Sequence, residues 1–436
     1  MRAVSPPRRG SLGGLGRALA VSRTMTGAMR ETRIAECHDC GLRYELGAVP
    51  PSMTAVCRRC GAVLLRVPVD SLDRALALTV TGLVLIVVAN TMPFMSLSIQ
   101  GRIQQASLIT GVIEFIDQGL WPLAAVVLFT SVLAPMLKLG ATGYVLLGLR
   151  LPRPPSDLPI VFRWLRSLGP WSMIEVYLLG VFVAYVKLID LARIEIGVAC
   201  YALGLLLVVM VAIDFTLSPE LVWRRMEERG LVRKPAAKGE PLLLCEVCSA
   251  LASVGPHGTA CPRCGAHRHF RKPNSITRAW ALLVTALILY IPANVYPVMT
   301  VISFGRGAPD TILSGVKELF LAGMWPLALL VFFASITVPV LKILGLAFLL
   351  IATQRGSRWR LRDRTVLYRI VESVGRWSMI DIFMLSILAG LVRLGSIATI
   401  VPGVGAVSFA AVVIITMFAA AAFDPRLMWD AAGENR

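Results

Sequence analysis

Eight long apolar stretches constrain this chain more than any other feature. They fall at roughly 75–97, 121–149, 171–190, 196–217, 277–301, 325–352, 377–396 and 404–423. Each meets or approaches the ~20 mostly apolar residues that a helix needs to cross a bilayer. Several contain Pro or a charge, which a membrane helix tolerates where its neighbours satisfy the freed backbone groups. Only 16% of the 436 residues are charged, too few to clothe soluble domains, where about a quarter is usual. The 56% apolar content excludes a disordered chain, and the length excludes a small disulfide scaffold.

Basic residues exceed acidic ones, 44 to 26, giving a formal charge of +18. Such an excess serves either nucleic-acid binding or membrane topology, and its distribution separates the two. Residues 1–32 hold six Arg and one acid, 150–169 four Arg and one acid, 218–278 eleven Lys/Arg and five acids, and 353–376 seven Arg and two acids. The alternate loops carry little beyond Arg102, Arg193, Arg306 and Lys317. Basic loops stay cytoplasmic, so both termini and the central linker are placed in the cytosol. Nucleic acid is not an expected partner. Leu12–Val21, broken by Arg17 and several Gly, is a poor signal peptide, so 1–32 reads as a basic flexible tail or a mis-assigned start ahead of Met25 or Met29.

The chain is also duplicated. Asn90-Thr-Met-Pro93 parallels Asn294-Val-Tyr-Pro297, Gly111 parallels Gly315, Trp121-Pro122 parallels Trp325-Pro326, and Pro135-Met-Leu-Lys138 parallels Pro339-Val-Leu-Lys342, all at an offset of 204. Trp171-Ser-Met-Ile-Glu175 parallels Trp377-Ser-Met-Ile-Asp381 at an offset of 206. Each copy crosses the membrane an even number of times, so the copies share one orientation and form parallel repeats.

Each copy opens with paired knuckles: Cys37-x2-Cys40 with Cys57-x2-Cys60, then Cys245-x2-Cys248 with Cys261-x2-Cys264. Four thiolates at such spacing suit one tetrahedral Zn, and with all positions filled by protein the metal is structural. Iron also accepts four thiolates and stays open as an alternative. Gly41, Gly61 and Gly265 follow three of the pairs and Ser249 the fourth, as a tight turn requires. His257, His267 and His269 read as surface residues, and Cys200 as a small buried one. The expected fold is therefore an all-α polytopic membrane protein with two parallel repeats of four transmembrane helices, each preceded by a cytosolic four-Cys zinc ribbon. The expected domains are a zinc ribbon at 33–70, four helices at 71–223, a linker at 224–240, a second ribbon at 241–272, four helices at 273–430 and a tail at 431–436.

Charges at bilayer depth are costly and mark function by default. Lys138 and Lys342 lie in the second helix of each repeat, and Glu175 and Asp381 near the start of the third. A Lys–acid pair within each repeat is sterically reasonable, extended by Ser172, Ser378, Thr130, Ser131, Ser335 and Thr337. Such pairs serve either as structural salt bridges or as a proton-sensitive or headgroup site. Lys187 and Arg393 read as snorkelling outward and Asp214 as interfacial. Asn90 and Asn294 introduce segments expected to kink their helices. No phosphate-binding loop, nucleophile elbow or zinc-protease motif is present, so the chain is not read as an enzyme.

The repeated Asn-x-x-Pro, Trp-Pro, Pro-x-x-Lys and Trp-Ser-Met-Ile-(Glu/Asp) motifs with their four-Cys ribbons resemble the paraquat-inducible protein A family, over about residues 33–430. The resemblance implies a bacterial inner-membrane protein moving lipid to or from a periplasmic tunnel partner of the mammalian cell entry (MCE) type, or supporting envelope stress tolerance. By position it assigns the membrane lysine to Lys138 and Lys342, and the motif acid to Glu175 and Asp381. The basic tail 1–32 departs from the pattern. In the absence of a nucleotide site the proton gradient is the expected energy source. The alternative is a non-transporting scaffold or metal/redox sensor whose ribbons recruit cytosolic partners.

Overall fold

The computed structural model describes residues 33–47, 49–50, 53–67, 71–99, 102–189, 193–235, 242–253, 260–303, 306–392 and 398–433. The tail 1–32, His257, Arg393 and most of the far end of the linker lie outside them. Among the described residues, eight helices are long and apolar enough to cross a membrane: Leu72–Thr91, Trp121–Gly148, Leu158–Leu188, Val198–Thr216, Ser275–Val295, Trp325–Gln354, Leu361–Leu391 and Val404–Ala422. They are called the first to eighth spans below.

The third and seventh spans start 13 and 16 residues before the apolar stretches at 171 and 377 that announce them. Each opens with an amphipathic helix, Leu158–Leu168 or Leu361–Val374, in what the charge pattern reads as a loop. In the first of these, Leu158, Phe162 and Leu165 are buried while Arg166 is left open. A 3-10 turn, Gly169–Trp171 or Gly375–Met379, then redirects the chain into the apolar segment.

The first and fifth spans end earlier than their apolar stretches, at Thr91 and Val295. Pro93 and Pro297 stand beyond those ends, so the Asn-x-x-Pro segments terminate the helices rather than kink them. Asn90 and Asn294 donate back to the Ile86 and Tyr290 carbonyls at 2.7 and 2.9 Å. The residues that follow become β-strands, which the helical reading did not foresee. Met95–Ile99 is the centre of a three-stranded antiparallel sheet between Arg102–Ala106 and Arg193–Ile196. Met299–Ser303 likewise sits between Arg306–Asp310 and Ala398–Pro402. Both sheets lie at the membrane end away from the cysteine modules.

Within each half the first span packs along the fourth, and the fifth along the eighth. The halves meet through the apolar segments of the third and seventh spans, and all twelve residues of Ile380–Leu391 are buried. The contact is not symmetric. The short helix Thr110–Asp117 of the first half lies across Ile380–Leu391. Gly111 makes that crossing possible, since a Cβ there would stand 2.3 Å from the Ser386 carbonyl oxygen. Around the equivalent Gly315, in Ile312–Leu321, no contact from the described residues stands within 4 Å of the Cβ position.

The cysteine modules dock crosswise. The first shares a core with the second half, through Leu346, Leu349, Leu361, Phe423 and Trp429. Arg369 of the seventh span donates to Asp39 at 2.5 Å and to the Cys60 carbonyl at 2.9 Å. The second module shares a core with the first half, through Leu149, Phe162, Val222, Trp223 and Met226. There Arg163 donates to the Cys264 carbonyl at 3.2 Å, and Arg263 to Glu220 and Glu227 at 3.0 and 2.6 Å. Between the modules, buried Arg426 binds Asp424 at 2.8 Å, Glu246 of the second module at 2.9 Å and Glu36 of the first at 3.9 Å.

Candidate functional site

Two buried sets of thiols come together as the knuckle spacing implies: Cys37, Cys40, Cys57 and Cys60, then Cys245, Cys248, Cys261 and Cys264, each with all four sulfurs within 4.8 Å of one another. The nearest sulfurs stand 3.4–3.6 Å apart. A tetrahedral Zn with bonds of ~2.3 Å would hold them ~3.8 Å apart, so the donor set fits a single metal ion. The residue after each knuckle takes a left-handed conformation: φ is 72°, 75° and 69° at Gly41, Gly61 and Gly265, and 56° at Ser249. His267 and His269 are exposed and outside both thiol sets.

The intramembrane charges do not form the Lys–acid pairs that their depth allows. Lys138 donates to Asp214 at 2.8 Å, and Glu175 accepts from Arg376 of the other half at 3.4 Å. Lys342 donates to the Thr416 hydroxyl at 2.7 Å. The reason lies in the packing. The third and seventh spans form the contact between halves, so Glu175 meets Arg376 of the opposite half, while Asp381 lies beside Ser335 of its own. Asp214 is thus a partner for Lys138 rather than only an interfacial acid. Lys187 does not simply snorkel outward, since it lies within electrostatic reach of Asp310, Glu318 and Asp381 in the second half.

Asp381 lies beside Ser335, and its Oδ2 has no hydrogen-bond partner among the described residues. The same is true of Ser172 Oγ, Ser378 Oγ and Asn90 Oδ1, all buried. Buried polar atoms are usually paired, so orphans call for an explanation such as a bound proton, water or ligand group. Ser335, Thr130 and Ser131 instead donate to carbonyls of their own helices at 2.7 Å. They sit in π-helical segments, Phe129–Leu133 and Phe333–Thr337, just before Pro135 and Pro339. A proline lacks the N–H that would continue the ladder, and a wider turn upstream accommodates the loss.

Between the halves, on the module side, lies a cavity of about 770 Å³. Both repeats line it: Lys138, Arg166 and Trp171 from the first, Lys342, Arg376 and Phe418 from the second. A second cavity of about 630 Å³ lies between the modules and the membrane helices and shares Arg166, Asp214 and Glu372 with the first. The two cavities thus adjoin at Arg166, Asp214 and Glu372, and Lys342 lines the one between the halves.

A family model described as paraquat-inducible protein A matches residues 72–227 and again 276–433. The chain belongs to the paraquat-inducible protein A family. The two matches are the two halves, each with its four spans. The chain is 32% identical to the intermembrane transport protein PqiA of Escherichia coli K12 over 92% of this chain and 96% of that one. It is 31% identical to the lipophilic envelope-spanning tunnel protein A of the same organism, over 91% of each. A probable intermembrane transport protein of Haemophilus influenzae is 27% identical over 91% of this chain and 96% of that one. No solved structure matches. Membership in the paraquat-inducible protein A family thus rests on the duplicated membrane halves. These relatives are named as transport proteins, not as enzymes.

Sequence reasoning missed Thr416, Arg376, Arg166 and Arg369 as site residues. Thr416 carries no motif. The three arginines read as topological charge, although the places of Arg166 and Arg369 on amphipathic helices of the third and seventh spans were a usable signal.

Proposed function

We propose that this chain is an inner-membrane component of an intermembrane lipid-transport system, with termini and cysteine modules in the cytoplasm and zinc in both modules. It would pass lipid to or from a periplasmic MCE-type partner docked on the side of the two small sheets. The observation that carries the reading is the polar-lined cavity between the halves, in a chain whose relatives are named for intermembrane transport. An amphiphile needs a polar pocket within an apolar wall, and this cavity pairs Lys138 and Lys342 with Trp171 and Phe418. Proton movement is the proposed energy source. Lys342 with Thr416, and Asp381 with Ser335, supply ionisable groups along one half, and Ser172, Ser378, Glu175, Asn90 and Asn294 extend the polar network into the other elements. Lys342→Ala and Asp381→Ala should each abolish complementation of an envelope-defective strain at undiminished protein level. Normal complementation by both variants would remove the mechanistic part of the proposal.

A further inference from the structure

The lining of the cavity between the halves is strongly one-signed. It holds Lys138, Arg166, Lys342, Arg369 and Arg376 against Asp214 and Glu372. Three of the five cations have a carboxylate of their own: Lys138 has Asp214, Arg369 has Asp39, and Arg376 has Glu175. The other two do not. Lys342 is buried, and among the described residues its ammonium donates to the neutral hydroxyl of Thr416 and to no carboxylate. Arg166 makes no hydrogen bond among the described residues; Glu220 and the thiols Cys245, Cys248 and Cys264 act on it only at longer range. Its side chain is exposed into the cavity, although protein surrounds it on most sides.

We infer that this cavity binds the phosphate of an anionic phospholipid, with Arg166 and Lys342 as its ligands. The inference rests on the lipid-transport reading and adds the class of lipid. A guanidinium offers a planar fork and an ammonium a point charge, and together they match a phosphate monoanion. Apolar groups make up much of the remaining wall: the Trp171 and Phe418 rings meet at a tilt with centroids 5.6 Å apart, and Leu165 and Met417 line it too. A free phosphate would leave that wall unused, whereas an acyl chain would cover it. A zwitterionic headgroup brings its own cation into a site already rich in them, so phosphatidylglycerol is favoured over phosphatidylcholine.

The test uses the full chain in nanodiscs, with a photoreactive phenylalanine analogue replacing Phe418 and either radiolabelled phosphatidylglycerol or phosphatidylcholine at equal load. Repulsion between the choline cation and the cations of the site predicts about tenfold more adduct with phosphatidylglycerol. Arg166→Gln should bring the two lipids to near equality with metal content unchanged, and Arg166→Lys should restore much of the preference, which separates charge from folding. Excess inorganic phosphate should not compete. Equal labelling by both lipids in the unmodified site would overturn the headgroup assignment while leaving lipid transport standing. Labelling abolished by inorganic phosphate would overturn it in favour of a free-anion site. No adduct with either lipid, joined to normal complementation by the Lys342 and Asp381 variants, would take the transport reading down with it.

Discussion

Gly111 and Gly315 occupy equivalent places in the duplication but opposite environments, which makes them a controlled pair. A Cβ at Gly111 would stand 2.3 Å from the Ser386 carbonyl oxygen and 2.4 Å from its hydroxyl. That is more than 1 Å inside ordinary contact, and the obstacle is backbone in a fully buried helix. Gly111→Ala must therefore push Thr110–Asp117 off the seventh span. Overpacking of this kind costs about 1–3 kcal/mol, and the upper end applies because no rotamer change relieves a backbone clash. At Gly315 a methyl group meets nothing within 4 Å. Gly315→Ala should stabilise its helix by about 0.5–1 kcal/mol, because alanine loses less backbone freedom than glycine. The two variants should thus differ by about 3.5–4 kcal/mol. Thermal unfolding of detergent-solubilised protein, followed by tryptophan fluorescence, reads this directly. The wild-type melt should fall between the two. If Gly111→Ala melts with the wild type, or Gly315→Ala melts as low as Gly111→Ala, the asymmetric contact between halves is wrong.

Other consequences concern the modules. Burial alone would pull the Arg263 guanidinium down, but Glu220 and Glu227 outweigh it and hold its pKa above the ordinary value. Arg263→Ala removes the guanidinium that Glu220 and Glu227 share and should cost about 3–5 kcal/mol by the same melt, with an unchanged melt refuting the bridge. At Asp424, burial raises the carboxyl pKa, yet hydrogen bonds and charge from Arg426 win and hold it below the usual range. Its stabilisation is therefore present at neutral pH and fades as pH falls through that lowered value. Asp424→Asn should flatten the acid limb of a pH–stability curve, and an unaltered limb would show that other carboxylates govern it. Cys57→Ser should lower bound metal from about two to about one per chain, as a four-ligand site requires. Because of the crosswise docking, hydrogen exchange should then quicken at Leu361–Val374 and not at Leu158–Leu168; the reverse pattern would refute it.

The spans, the duplication and both thiol sets were legible because each rests on local chemistry. Apolar run length, motif recurrence and Cys-x2-Cys spacing need no knowledge of tertiary structure. Packing decided what was not legible. The sheets were hidden because Met95–Ile99 and Met299–Ser303 continue an apolar run, and only their partner strands, one of them about a hundred residues away in each sheet, distinguish strand from helix. The depth of Lys138 and Glu175 was readable, but depth does not give azimuth, so each lysine found a partner that one-dimensional reasoning could not choose. The divergence between repeats had a sign in the sequence: the first half offers Asp214 to its lysine, while the corresponding place in the second half is Ala420 and Thr416 serves instead.

The crosswise docking also orders the birth of the molecule. The second module emerges from the ribosome after its docking surface on the first half has been made. The first module emerges before any of its own surface exists, and its bond from Asp39 to Arg369 closes a loop of 330 residues. Lengthening a loop adds little to its closure entropy, so the wait costs time rather than stability. Until the seventh span is threaded, the apolar face of that module has no partner. A chain halted or clipped between the halves would display it, and completion of synthesis is what conceals it.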